Sequence, residues 1–157
     1  MQKITPFLWF DGKAEEAVNY YASIFKNSKV TNIKRWGEGS PFPKDQIMTA
    51  TVVLDGIQFH AFDAGPQFKF TEAISFFVNC KDQQEVDYFW DRLSAGGEES
   101  MCGWVKDKFG VSWQVVPENL GDMMSAKDPD AAKRVMGALM QMKKLIIADL
   151  QKAYDGK

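Results

Sequence analysis

Histidine occurs once in the chain, at position 60, and its imidazole is the first group to ask about chemistry, because it gains and loses a proton near neutral pH. It lies in Ile57-Gln-Phe-His-Ala-Phe-Asp63, a segment of alternating character. Two readings are open: general acid/base work, or a hydrogen-bonded structural role. Gln114 poses the same choice within Lys108-Phe-Gly-Val-Ser-Trp-Gln-Val-Val-Pro117. A neutral amide in an apolar strand either polarises a bound molecule or satisfies a neighbouring strand. Cys102 is a weak candidate nucleophile, since no second histidine exists to activate it and no motif flanks it. Cys80 and Cys102 lack CxxC spacing, so reduced thiols in the cytoplasm are expected, with a disulfide between them as the alternative. No Ser-His-Asp arrangement is readable.

The elements that must position these residues alternate between strand and helix signals. Ile4–Phe10 is a bulky apolar strand. Gly12 to Phe25 has helical spacing, opened by Asp11-Gly12 and closed by Lys26-Asn27. Strands are expected over Lys29–Trp36, Ile47–Leu54 and Ile57–Asp63, with Asp55-Gly56 as a two-residue hairpin turn. Ile74–Cys80 is a further strand. Asp82 with Glu85 resembles a capping box opening a helix that Gly96-Gly97 ends. Weaker strands fall near Glu99–Cys102 and Gly103–Asp107, followed by Val111–Val116. Asp128-Pro129, an N-cap followed by Pro at N1, opens a long helical region to about Tyr154. Its Val135, Leu139, Met142, Ile146 and Leu150 form an apolar stripe that covers either its own domain or a partner subunit.

The first two thirds of the chain repeat. A shift of 68 lays residues 6–25 on 74–93, strand on strand and helix on helix. A shift of 54 lays residues 55–63 on 109–117, so that His60 meets Gln114. The unit is β-α-β-β-β used twice. The expected class is α+β: two tandem βαβββ modules, about 2–65 and 72–117, with C-terminal helices over about 119–155. Two such sheets side by side would enclose a cleft, and a site is expected where the modules face each other.

Four segments, ITPFLWFDGKAEEAVNYY, GPQFKFTEAISFFVNC, CGWVKDKFGVSWQVVP and RVMGALMQMKK, together with this duplication, resemble the PhnB-like family, often labelled 3-demethylubiquinone-9 3-methyltransferase. The resemblance covers about residues 2–155. It places the chain in the vicinal oxygen chelate superfamily, with glyoxalase I, bleomycin-resistance proteins and extradiol dioxygenases, and implies the paired βαβββ fold and commonly a homodimer. The methyltransferase label finds no support in the residues: no GxGxxG follows a first strand, and Gly37-Glu-Gly39 and Gly96-Gly97 follow the wrong elements.

Metal-dependent members of the superfamily take ligands from the first and last strands of each module. Carried over, those positions are Thr5, His60, Ala73 and Gln114. Only His60 is a strong donor, so the expectation is no metal site and no cofactor, with a weakly held divalent ion as the alternative. If Thr5 faces the cleft, alternation turns Phe7, Trp9, Gln58, Phe62, Ser75, Phe77, Ser112 and Val116 the same way. Such an aromatic lining with a few polar groups suits a small, partly apolar ligand, with Phe7, Trp9, Phe62, Ser75, Phe77, Ser112 and Gln114 as the binding set. His60 is the one catalytic candidate. Phe68-Lys-Phe70 and Cys102-Gly-Trp104 are placed to close over that lining.

Composition narrows the partners. The chain has 157 residues and a formal net charge of −2, which favours neither nucleic acid nor anionic membrane. No apolar run is long enough to span a bilayer, and the N-terminal run stops too early for a signal peptide. The expected function is binding of a small organic molecule without a conventional metal centre. The alternatives are an enzyme on the same fold, using His60 as acid/base or a weak metal, and a sequestering protein of the bleomycin-resistance kind.

Overall fold

The Asp55-Gly56 turn organises the first sheet. Both residues are left-handed, with φ 46° and 83°, the twist that joins two antiparallel strands through a two-residue turn. In the computed structural model, which describes residues 2–125 and 128–157, this turn joins β3 (Ile47–Leu54) to β4 (Ile57–Asp63). β1 (Phe7–Phe10) and β2 (Lys29–Arg35) flank them, and α1 (Ala14–Ile24) packs on the sheet. The strand order is β1-β4-β3-β2, with β1 parallel to β4 and the other pairs antiparallel. Leu8, Phe10, Val52, Phe59 and Ala61 are buried, as are Ala14, Ala17, Val18 and Tyr21 of α1. These elements make one compact unit, Met1–Phe70.

In this unit two boundaries differ from the sequence reading by two residues or more, each for a tertiary reason. β1 begins at Phe7 rather than Ile4. Beyond Phe7 the backbone of β4 is met by a side chain: Gln2 accepts from Gln58 N at 3.0 Å and donates to Gln58 O at 3.0 Å. One amide side chain thus does what a strand peptide would have done. α1 starts at Ala14, and Asp11 does not cap it. The capping acceptor comes from β4, where the buried Asp63 carboxylate accepts from Ala14 N at 2.9 Å, an anion at the positive end of the helix.

The second unit, Thr71–Lys157, repeats the topology. It contains β5 (Ser75–Cys80), α2 (Gln83–Ser94), β6 (Glu98–Glu99), β7 (Trp104–Lys106) and β8 (Ser112–Pro117). The order is β5-β8-β7-β6, again with one parallel pair, β5 with β8. Asp82 caps α2 by accepting from Glu85 N at 2.9 Å, while Glu85 returns a bond to Lys81 N at 3.0 Å, one residue before the usual capping-box position. The β7–β8 connection is held by Asp107. Its buried carboxylate accepts from Phe109 N, Val111 N and Trp113 Nε1 at 2.8, 3.0 and 2.8 Å.

The expected long C-terminal helix is broken. α3 (Leu120–Met124) precedes α4 (Pro129–Leu139) and α5 (Ile147–Asp155). Asp128 caps α4 as its sequence promised, accepting from Asp130 N at 2.9 Å. The residues between α4 and α5 have good helix propensity, yet their carbonyls are taken by other parts of the unit. Met142 O accepts from Cys102 N at 2.7 Å, Lys143 O from Gly103 N at 2.8 Å, and Leu145 O from the Gln83 amide at 3.1 Å. The apolar stripe therefore does not lie along one helix. Val135 and Leu150 meet Val116, Met123 and Leu145 in a core of their own unit, with Leu139 and Met142 packed at its edge. No helix among the described residues is long and apolar enough to cross a membrane.

Candidate functional site

In the first unit, the parallel β1–β4 pair sets Phe7 beside His60 and Trp9 beside Phe62. Leu8, Phe10, Phe59 and Ala61 take the buried positions between them, so the pleat turns the aromatic set to the other face. Phe62 is the hub. Its ring meets Phe7 and Trp9 edge-on, each at 4.9 Å, and Trp9 meets Phe68 at 4.9 Å. Trp9 also donates from Nε1 to Gly65 O at 2.8 Å, which fixes the indole and the loop after β4 together.

His60 stands at one end of this row, with its ring 5.7 Å from Phe7. On its other side, Thr51 of β3 lies opposite in register, and Thr51 Oγ1 is hydrogen-bonded to His60 Nδ1 at 3.0 Å. No protein group bonds Nε2 among the described residues. The imidazole is thus oriented through one nitrogen and open at the other. When Nδ1 donates to the threonine, Nε2 carries a lone pair able to accept a proton; when the threonine donates, Nε2 carries hydrogen and can give one. Thr51 was absent from the sequence reading, although the hairpin contained the signal. Counting outward from Asp55-Gly56, positions 51 and 60 fall directly opposite one another.

The second unit carries its row on β5, β8 and β7. Gln114 pairs with Phe77 on one side and Trp104 on the other. Its amide donates to Ser75 Oγ at 2.9 Å. Phe77 is 54 % exposed, while Ser112 is 2 % exposed and its Oγ has no hydrogen-bond partner among the described residues. Ser112 lies opposite Lys106, which is ion-paired to Glu72. The Lys106 ammonium holds the Glu72 carboxyl below its ordinary range. Val116, placed by alternation in the same lining, instead packs in the core with the C-terminal helices. Trp104, which the sequence placed with Cys102-Gly103 over the lining, is a direct cross-strand neighbour of Gln114.

The register also changes the repeat. His60 pairs with Phe7, so shifts of 54 and 68 would set Gln114 beside Ser75. The observed partner of Gln114 is Phe77, two residues further, and Ser75 pairs with Ser112. A two-residue slip keeps every side chain on its face. Gln114 still reaches Ser75, but diagonally and through its side chain.

The four positions taken by metal ligands in the superfamily can be tested as donors here. Thr5 is half-buried ahead of β1, and Ala73 is exposed ahead of β5. His60 has one nitrogen engaged with Thr51, and the Gln114 amide is engaged with Ser75. One imidazole, one hydroxyl, one neutral amide and one methyl do not fit a divalent ion that requires three or more strong donors. Glu72, next to Ala73, is already the partner of Lys106. Among the described residues no group of three His, Cys, Asp or Glu side chains is placed to hold a metal.

Neither cysteine is in a disulfide. Cys80 is buried, and burial, with Glu85 nearby, pushes its thiol up to about 12, which makes it inert as a nucleophile. Cys102 is half-buried with a left-handed backbone, φ 60°, and bonds through its N–H to Met142 O.

Comparison with known proteins gives this geometry its context. The family model described as 3-demethylubiquinone-9 3-methyltransferase matches residues 2–116. A solved structure described as a putative 3-demethylubiquinone-9 3-methyltransferase, PhnB protein, from Bacillus cereus is 38% identical, with 74% of this chain and 99% of that chain covered and a TM-score of 0.71. Protein PA1353 from Pseudomonas aeruginosa is 27% identical, covering 75% of this chain and 98% of its own, with a TM-score of 0.64. The fosfomycin resistance protein FosX from Listeria monocytogenes, solved with Mn(II) and sulfate, is 16% identical over 72% of this chain and 90% of that one, with a TM-score of 0.51, a likeness of fold alone. No curated protein matches the chain.

Proposed function

The chain belongs to the 3-demethylubiquinone-9 3-methyltransferase family, PhnB-like proteins of the vicinal oxygen chelate superfamily, and from that premise we propose that it binds a small, partly apolar organic molecule on the faces carrying His60 and Gln114. The observation that carries the reading is the row Phe7–Phe62–Trp9–Phe68 ending at a half-buried imidazole. Flat apolar contacts beside a few oriented polar groups are the usual composition of a small-molecule site. On the second sheet the Ser75–Gln114 pair is a polar element of its own, with Phe77 as its aromatic wall. Binding proceeds without a resident divalent ion, because the four homologous ligand positions carry no anionic donor and only one strong neutral one, His60. The reading does not include methyl transfer from a nucleotide-like donor, for which the chain has no Gly-rich turn after a first strand. A homodimer in the cytoplasm completes it.

A second reading is favoured by one observation, the Thr51–His60 bond. A base oriented by a second residue and open at its other nitrogen is the arrangement of acid/base catalysis. In that case His60 moves a proton at Nε2. A ligand screen on the labelled protein, followed by nuclear magnetic resonance at His60 and Gln114, tests both. Binding that perturbs these residues and survives His60→Ala without turnover supports sequestration or transport. Turnover abolished by His60→Ala in a folded protein supports the enzyme. Stoichiometric zinc, nickel, iron or manganese retained through purification, and lost in His60→Ala, sinks the metal-free site. Light scattering that finds a monomer at micromolar concentration removes the dimer.

A further inference from the structure

The family model ends at residue 116, so α3, α4, α5 and the segment joining the last two lie beyond the matched region. That segment makes bonds in two directions. Toward the sheet, Met142 O and Lys143 O accept from the successive N–H groups of Cys102 and Gly103 at 2.7 and 2.8 Å. Toward α2, Gln83 donates to Leu145 O at 3.1 Å and accepts from Ile147 N at 2.8 Å. Lys144 reaches Asp87 at 3.0 Å, and Leu145 between them is fully buried.

The corner it holds is an unusual piece of backbone. Cys102 and Gly103 are both left-handed, with φ 60° and 81°, a conformation that costs a non-glycine residue energy and needs support. Their N–H groups find acceptors in residues 142 and 143. Without them, the buried Gly103 N–H would be an orphan donor. The residue immediately after this corner is Trp104, the first of β7 and the cross-strand neighbour of Gln114. Gly103 also fits closely: a Cβ there would lie 2.7 Å from Val115 O and 3.2 Å from Leu145 Cδ1.

We propose that residues 142–147 are a strap that fixes the Met101–Gly103 corner and thereby positions Trp104 beside Gln114, making the C-terminal extension part of the ligand-binding face of the second unit. The word ligand rests on the function proposed above; the positioning of Trp104 does not. Trp104 is then the aromatic wall of the Gln114 side, and Gln83 and Leu145 are positioning residues that act through the corner.

The test uses the full chain with 5-fluorotryptophan incorporated, the Trp104 resonance assigned by Trp104→Phe, and amide hydrogen exchange read along the chain. Gln83→Ala removes both bonds to the strap, and Leu145→Ala removes its buried anchor. Either variant is expected to move the Trp104 resonance and to speed exchange at Cys102 and Gly103 by about tenfold or more, the signature of local opening. Val52 and Phe59 of the first unit, and Val78 of β5, are expected to keep their wild-type protection, whereas Val115, whose N–H donates to Gly103 O at 2.8 Å, opens with the corner. The proposal is overturned if the Trp104 resonance and exchange at 102 and 103 stay unchanged in both variants. It is equally overturned if β5 loses protection to the same degree as the corner, which would make the extension a general stabiliser. No ligand enters these readouts, so a failed ligand screen and a failed strap remain distinguishable.

Discussion

On the first sheet, the exposed row is aromatic and ends at an imidazole held by a threonine; on the second, the corresponding row is an amide held by a serine, between a phenylalanine and a tryptophan. The strand orders are the same, and each sheet has one parallel pair. The divergence is in what each last strand offers at its centre, and in a two-residue slip between β5 and β8 that leaves the faces intact. The two units share a hydrogen-bonded frame and differ in the side chains on one face. That separation is physically reasonable, because the frame depends on pleat and turn geometry, whereas the exposed face contributes little to stability. The two units also differ in their buried carboxylates. Asp63 stabilises the start of a helix, and Asp107 holds a whole strand connection.

Breaking those carboxylates separates the units most sharply. Asp107→Ala leaves two backbone donors and one indole donor without their acceptor in a buried turn, and is expected to cost on the order of 3–5 kcal/mol. Asp63→Ala removes one bond at the start of α1 and is expected to cost about 1–2 kcal/mol. Urea unfolding of each variant gives the ranking directly; equal losses would mean that the turn after β7 is already satisfied by other groups.

The glycines offer the next contrast. Gly56 and Gly103 are both left-handed, yet a Cβ at Gly56 meets nothing within 4 Å, whereas one at Gly103 meets Val115 O and Leu145. Gly56→Ala is expected to cost about 1 kcal/mol from backbone strain alone. Gly103→Ala adds a steric collision with backbone and is expected to cost about 3 kcal/mol or more. Thermal melts that rank Gly56 above Gly103 would contradict the close packing of the strap.

These contrasts also show what the sequence made legible. The hairpin at Asp55-Gly56, the cap at Asp82 and the cap at Asp128 are local chemistry, and each was readable from a few neighbouring residues. So was the alternation that separates His60 and Phe62 from Phe59 and Ala61. Bonds made across long separations were not readable. Nothing local says that the Gln2 side chain replaces a strand peptide against Gln58, that Asp63 rather than Asp11 caps α1, or that residues 142–145 leave the helix to serve Cys102, Gly103 and Gln83. The last case is a clear override of propensity by tertiary partners. The slip between β5 and β8 escaped for a different reason: a shift of two preserves the apolar pattern, so the pattern cannot report it. Within the candidate site, His60 and Gln114 stood out by type and Trp104 was placed over the lining, but Thr51 required the hairpin register and the pairing of Trp104 with Gln114 required the corner before it.

Cys80 gives the second unit a pH dependence that the first lacks, since the first has no cysteine. Its thiol is pushed up to about 12 in the folded chain by burial, against an ordinary value near 9. Between those values the unfolded chain has lost the proton and the folded chain has kept it. Stability is therefore whole below pH 9 and declines above it, by at most about 1.4 kcal/mol per pH unit for this group. Comparing urea midpoints of the wild type and Cys80→Val from pH 8 to 10 isolates the contribution, because the lysines and tyrosines titrate in both. Parallel curves would show that the thiol is better solvated than its burial implies.

The smallest expected effect sharpens the comparison of the two rows themselves. Thr51→Val deletes the partner of His60 while keeping a β-branched side chain that suits the strand. Ser75→Ala deletes the partner of Gln114. Each removes one half-buried hydrogen bond between neutral groups, worth about 0.5–1.5 kcal/mol, so the stabilities should fall by similar small amounts. Their functional readouts should not match. An imidazole without Thr51 loses the bond that selects which nitrogen carries the proton, and nitrogen chemical shifts of His60 should show the tautomer balance moving. The Gln114 amide has no tautomer to lose and needs only a new acceptor for its N–H, which water can supply. A ligand that binds chiefly through the first row will therefore weaken with Thr51→Val and tolerate Ser75→Ala. Equal sensitivity to both would mean that the amide and the imidazole hold the same molecule, and that the divergence between the rows is a division of labour within one site.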